Sequence, residues 1–83
     1  MGTKLFVGSL PWSVKDEDLK TAFEAHGKVI SAKVITDRQS GRSKGYGFVE
    51  MAEEADATNA IEALNGKDLN GRNIVVSEAK SKS

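Results

Sequence analysis

The sequence predicts an α+β domain in which a four-stranded antiparallel sheet carries two helices on one face, in the chain order βαββαβ. Three observations predict it. Four stretches, at 4–8, 29–36, 44–51 and 73–78, show the alternation or the β-branched content of strands. Two stretches between them, 16–26 and 52–65, carry apolar residues at helical spacing. A length of 83 residues supports one modest core, so one domain is expected over 3–80, with 81–83 as a tail that has no packing signal.

Residues 4–8 put Leu5 and Val7 on one face and Lys4, Phe6 and Gly8 on the other. The lysine marks the second face as open to water, and Phe6 lies on it. Pro11 turns residues 9–14 away from the strand. Trp12, just ahead of a helix, either staples the entering chain onto the core, the favoured reading, or reads a base. In 16–26, Leu19, Ala22 and Phe23 form a narrow apolar stripe, Asp16, Glu17 and Asp18 complement the macrodipole in the first turn, and Gly27 is the stop. His26 beside that stop reads as a solvated residue favoured by the dipole.

Residues 29–36 place Ala32, Val34 and Thr36 on one side and Lys33 and Ile35 on the other. A polar loop at 37–43, expected to be flexible, leads by a hairpin into 44–51, Lys-Gly-Tyr-Gly-Phe-Val-Glu-Met. Here Lys44, Tyr46, Phe48 and Glu50 share one face and Gly45, Gly47, Val49 and Met51 the other. A Lys and a Glu argue that the first face meets water, which leaves two aromatics exposed beside them. At roughly 150–250 Å² per ring and about 25 cal/mol per Å², that exposure forgoes several kcal/mol of burial. A surface that binds something flat is implied.

In 52–65, Ala57, Ala60, Ile61 and Leu64 sit at i, i+3, i+4 and i+7, with Gly66 beyond the end. Asn70-Gly71 is a turn signal, and 73–78 closes the set with Ile74 and Val76 inward and Val75 and Ser77 outward. The order βαββαβ is the split, ferredoxin-like arrangement, which puts both helices on one face and makes the first and third strands the central pair. Phe6 then lies beside Tyr46 and Phe48.

Composition excludes several functions. The absence of Cys removes disulfides and thiolate metal sites, and no apolar run approaches the roughly 18 residues of a membrane span. Residues 1–10 lack the apolar core of a signal peptide, so an intracellular protein is expected. A single His without a partner at ligand spacing points to no metal, and no nucleophile and base pairing suggests itself. An acyl-phosphate hydrolase on this fold would need an anion-binding loop after the first strand, which 8–14 does not offer. No enzyme activity, cofactor or small-molecule substrate is therefore expected. Net charge is zero, which by itself gives no support for a nucleic-acid partner. Its distribution is more informative: 13–27 and 52–66 hold eight acids against two lysines, a balance of −6, and the remainder is +6. Helices on one side of the sheet make an acidic back and a basic front.

At this point the chain resembles an RNA recognition motif domain. The family's strand-three octamer is Lys/Arg-Gly-Phe/Tyr-Gly/Ala-Phe-Val-x-Phe/Tyr, and 44–51 matches seven of its eight positions, departing at Met51. The strand-one hexamer resembles Leu5-Phe6-Val7-Gly8-Ser9-Leu10, where Ser9 stands in for a common Asn. Asp37-Arg38, Ala63-Leu64-Asn65-Gly66 and Asn70-Gly71-Arg72 agree further. Small single-domain members, of bacterial stand-alone or glycine-rich type, are the most similar in appearance.

The resemblance implies that Phe6 and Tyr46 each stack a base, that Phe48 packs against the sugars between them, and that Lys44 neutralises a phosphate. Independently, aromatic faces flanked by cations are what single-stranded nucleic acid requires. Lys4, Lys33, Ile35 and Val75 share the open face; Arg38 and Arg42 are candidates to clamp the strand from the loop, and Lys80 and Lys82 to fold over it from the tail. Glu50 repels phosphate or accepts a hydrogen bond from a base. The expected partner is single-stranded RNA, with single-stranded DNA not distinguished by stacking, and the expected state is a monomer. The alternative is a protein-interaction module that uses the acidic helices.

Overall fold

The computed structural model describes residues 3–41 and 43–79. Eight elements follow one another: β1 (Lys4–Gly8), α1 (Asp16–Glu24), β2 (Val29–Thr36), β3 (Ser43–Met51), α2 (Glu54–Leu64), β4 (Asp68–Leu69), β5 (Arg72–Asn73) and β6 (Val75–Glu78). β2, β3, β1 and β6 form one antiparallel sheet in that order, with β1 and β3 in the centre as expected.

Strand parity decides what is buried. Leu5, Val7, Val49, Met51 and Val76 turn toward the helices and join Leu19, Phe23, Ala57 and Ala60 in the core. The apolar stripe of α1 delivers Leu19 and Phe23 to it, one helical turn apart. Met51, where the octamer lacks its aromatic, is fully buried, so that departure is a matter of packing.

Both helices are shorter than the spacing predicts. The last turn of α1 tightens, with the His26 N–H donating to the Phe23 carbonyl (3.0 Å), so the helix stops at Glu24. Ala52 stays out of α2 because its N–H donates to the Lys28 carbonyl (3.0 Å), which prolongs the sheet by one residue. Each helix also covers one N–H group on an edge of the sheet. Asp16 at the start of α1 accepts the Val34 N–H of edge strand β2 (2.7 Å), and Asn65 at the end of α2 accepts the Val76 N–H of edge strand β6 (3.0 Å). Edge N–H groups left bare invite pairing with another chain, and these two are each covered by one polar side chain.

Two further expectations are corrected. The last strand begins at Val75; the Asn70-Gly71 turn instead closes a separate hairpin, β4 with β5. Its φ values, 52° and 90°, are those of a type I′ turn, whose twist matches a two-residue hairpin. Trp12 does not staple the chain: it is 71% exposed, and Leu10 and Val14 on either side of it are the buried anchors. The described part of the loop after β2, residues 37–41, forms a turn. Asp37 organises it, accepting the Gln39 N–H on its carboxylate and the Gly41 N–H on its carbonyl, both at 2.8 Å. Among the described residues no helix is long and apolar enough to cross a membrane.

Candidate nucleic-acid interface

The face of the sheet away from the helices is built in cross-strand rows. Phe6 of β1 lies directly opposite Phe48 of β3, with Lys33 of β2 beyond Phe48 and Ser77 of β6 beyond Phe6. In the next row Gly8 lies opposite Tyr46, with Val75 on its other side. In the row on the opposite side, Glu50 lies between Lys4 and Ser31.

The three rings form one half-buried cluster. Phe6 is 5.8 Å from both Tyr46 and Phe48, tilted 30° to the first and edge-on at 65° to the second; Tyr46 and Phe48 are 6.2 Å apart at 87°. These are the tilted and edge-to-face arrangements that the aromatic quadrupole favours. The Lys4 ammonium sits 5.4 Å from the Phe48 centroid, a cation–π contact, so it faces a ring rather than the carboxylate of Glu50 across the strand.

Two glycines permit close approaches in the central strands. A Cβ on Gly8 would come within 3.0 Å of the Phe6 ring, so the ring lies over a strand position that has no side chain. A Cβ on Gly47 would collide with the Lys33 carbonyl oxygen, so β2 and β3 approach closely only because that position is bare. The functional weight of Gly8 escaped the reading of the sequence. An interior strand glycine one position from an exposed aromatic was the available signal.

The expected site residues separate into groups. Phe6, Tyr46, Phe48 and Lys4 are brought together, and Lys33 and Val75 flank them in register. Ile35 is half-buried within an irregular stretch of β2. Lys44 is exposed, but the alternation that set it beside Tyr46 is interrupted at Gly45, whose φ is +86°. Between the pairs Val34 with Gly47 and Thr36 with Ser43, residues 44–46 face Ile35 alone, so a bulge separates Lys44 from the regular part of β3. Arg38 is exposed in the turn after β2, beyond the sheet. Arg42, Lys80 and Lys82 lie outside the described residues. Among the described residues no group of His, Cys, Asp or Glu is placed to hold a metal.

A βαββαβ sandwich whose bare sheet face displays three clustered aromatics defines a class of binding domain. The chain belongs to the RNA recognition motif family, whose model matches residues 5–75. It is 52% identical over 79 residues to a glycine-rich RNA-binding protein, blt801, of Hordeum vulgare, covering 95% of this chain and 49% of that protein. It is 50% identical over 82 residues to a mitochondrial glycine-rich RNA-binding protein of Arabidopsis thaliana, covering 99% of this chain and 52% of that one. The chain thus spans about half the length of these curated relatives. Among solved structures, the RNA binding protein PG1 superposes with a TM-score of 0.92 at 46% identity, covering 98% of each chain. A Sex-lethal protein–RNA complex superposes with a TM-score of 0.92 at 32% identity, covering all of this chain and 50% of that one.

Proposed function

We propose that this domain binds single-stranded RNA, without catalysing a reaction on it, by stacking bases on the open face of its sheet. The observation that carries the reading is the ring cluster of Phe6, Tyr46 and Phe48 on a face that no helix covers. Phe6 and Tyr46 offer their faces to two successive bases, and Phe48 packs against the sugars between them. Lys4 beside Phe48 and Lys33 in the same row supply cations for the phosphates, with Lys44 and Arg38 at the far end of the sheet. The RNA-binding names of the relatives and the RNA in the Sex-lethal complex support the partner class.

Stacking is worth roughly 1–3 kcal/mol per base, so two stacked bases and a few phosphates give an affinity of about micromolar order. With a net charge of zero, long-range attraction is weak and the salt dependence of binding is expected to be shallow. Titration of a short mixed-sequence RNA, read by anisotropy, tests the proposal. Phe48→Ala should weaken binding about tenfold or more. An unchanged affinity, or amide shifts confined to α1 and α2 on adding RNA, would refute it. The same titration with DNA measures how far the domain separates the two backbones.

A further inference from the structure

An acid stands on the open face of the sheet, among the rings and lysines. Of the described residues in the three cross-strand rows, Glu50 is the only carboxylate, half-buried between Lys4 and Ser31. Its charge is not used within the protein. Lys4, directly opposite, turns its ammonium to the Phe48 ring 5.4 Å away, and among the described residues neither an ion pair nor a hydrogen bond holds the Glu50 carboxylate. A carboxylate left free here repels the phosphates of any strand that crosses the sheet within a Debye length of about 10 Å. Only a base that donates hydrogen bonds to it offsets that repulsion.

The register says what such a base would meet. Glu50 lies two residues from Phe48 on the same face of β3, about 7 Å along the strand. Ser31 of edge strand β2 is its direct cross-strand partner, with an ordinary Cα separation of about 5 Å. A base stepping off the rings toward β2 therefore faces a carboxylate and a hydroxyl side by side. The carboxylate accepts only, through two oxygens, and the hydroxyl can donate.

The four RNA bases answer this pair differently. Guanine sets two adjacent donors, N1–H and the N2 amino group, on its Watson–Crick edge, with the O6 acceptor next to them. Adenine and cytosine set one amino donor beside a ring-nitrogen lone pair, and uracil sets its one N–H between two carbonyl oxygens. Against each of these three the carboxylate meets an acceptor as well as a donor, and is repelled by it.

We infer that Glu50 and Ser31 form a guanine-selective subsite beside the stacking rings, the carboxylate accepting from N1–H and the N2 amino group and the Ser31 hydroxyl donating to O6. The subsite rests on the RNA-binding reading and adds a base preference to it. Lys4 across from Glu50 and Lys33 in the next row supply the cations that keep this nucleotide's phosphates near an acid.

The test titrates hexauridylate beside hexamers in which a guanosine replaces one uridine at each position in turn, read by anisotropy. Adenosine, cytidine and inosine then replace the guanosine at its best position. Guanosine should tighten binding about tenfold over hexauridylate, as a bidentate contact does. Inosine, which keeps N1–H and O6 but lacks the amino group, should fall between the two, and adenosine and cytidine should gain little. Glu50→Ala should bring the guanosine hexamer within twofold of hexauridylate, while hexauridylate itself binds at least as tightly as to the parent. Ser31→Ala should weaken the guanosine hexamer about threefold, the loss of one hydrogen bond.

Equal affinity of the parent for all hexamers, or a guanosine preference that survives Glu50→Ala, overturns the subsite; the stacking face stands if Phe48→Ala still weakens every hexamer. An equal loss for hexauridylate and the guanosine hexamer in Glu50→Ala marks a structural role and overturns it too. A preference for cytidine or adenosine overturns the assignment to guanine, and an unchanged Ser31→Ala removes the hydroxyl from it. No binding of any hexamer by the parent overturns subsite and stacking face together.

Discussion

The two faces of β1 and β3 are made by the same backbone one residue out of phase, and they obey different rules. On the helix side Leu5, Val7, Val49 and Met51 are fully buried. On the other side Phe6, Tyr46 and Phe48 touch one another and stay half-exposed. Apolar side chains on the first face contribute to folding through burial; the aromatics on the second leave part of that contribution unrealised and keep it for a ligand. The comparison teaches that chemically identical residues acquire different roles from the side of the sheet they occupy. Phe23, which α1 packs beneath the sheet, and Phe48, on its open face, are the clearest pair.

The sharpest way to break this contrast is to truncate both. Phe23→Ala removes a fully buried ring and should lower the unfolding free energy by about 3–5 kcal/mol in urea titration. Phe48→Ala should cost stability about 1 kcal/mol or less, its main effect falling on RNA affinity. Equal stability losses would mean that the open face is a second core. Next in size is Gly47→Ala, whose Cβ meets the Lys33 carbonyl and pushes β2 from β3; a loss of about 1–3 kcal/mol is expected, seen as a lower thermal midpoint.

Met51→Phe supplies an aromatic at the family's eighth octamer position, but on the buried face. Overpacking there should cost about 1 kcal/mol while RNA affinity stays within twofold, and a gain in affinity would contradict the assignment of Met51 to the core. The smallest effect concerns the end of β1, where Ser9 holds a φ of 58°. Asn tolerates this left-handed conformation better than Ser, so Ser9→Asn should raise stability by about 0.5–1 kcal/mol without altering binding.

Much of this was legible in the primary structure because it depends on period and parity. Lys44 and Glu50 bracket the aromatics of β3 and mark their face as wet, and Lys4 does the same for Phe6. The Asn70-Gly71 turn was visible, yet the strands it joins have two residues each, too few for any periodic signal. Trp12 was misread because an aromatic before a helix carries no information about which neighbour reaches the core, and Leu10 and Val14 do so here. The parity argument also overreached at Lys44, since a bulge at Gly45 leaves no trace in the alternation of residue types.

By itself, the sequence determined the order of the two helices and the four strands of the main sheet, most inward and outward residues of the central strands and the three aromatics, since each follows from spacing along one chain. Only the tertiary structure decided which groups from distant segments meet. It brings the Lys4 ammonium over Phe48, sets Asp16 on the edge of β2 and Asn65 on the edge of β6, and lines one groove with Trp12 and Arg72. Those meetings depend on strand register and on the course of loops between elements. Both are set by close packing across the whole domain, which a local pattern of residue types does not encode.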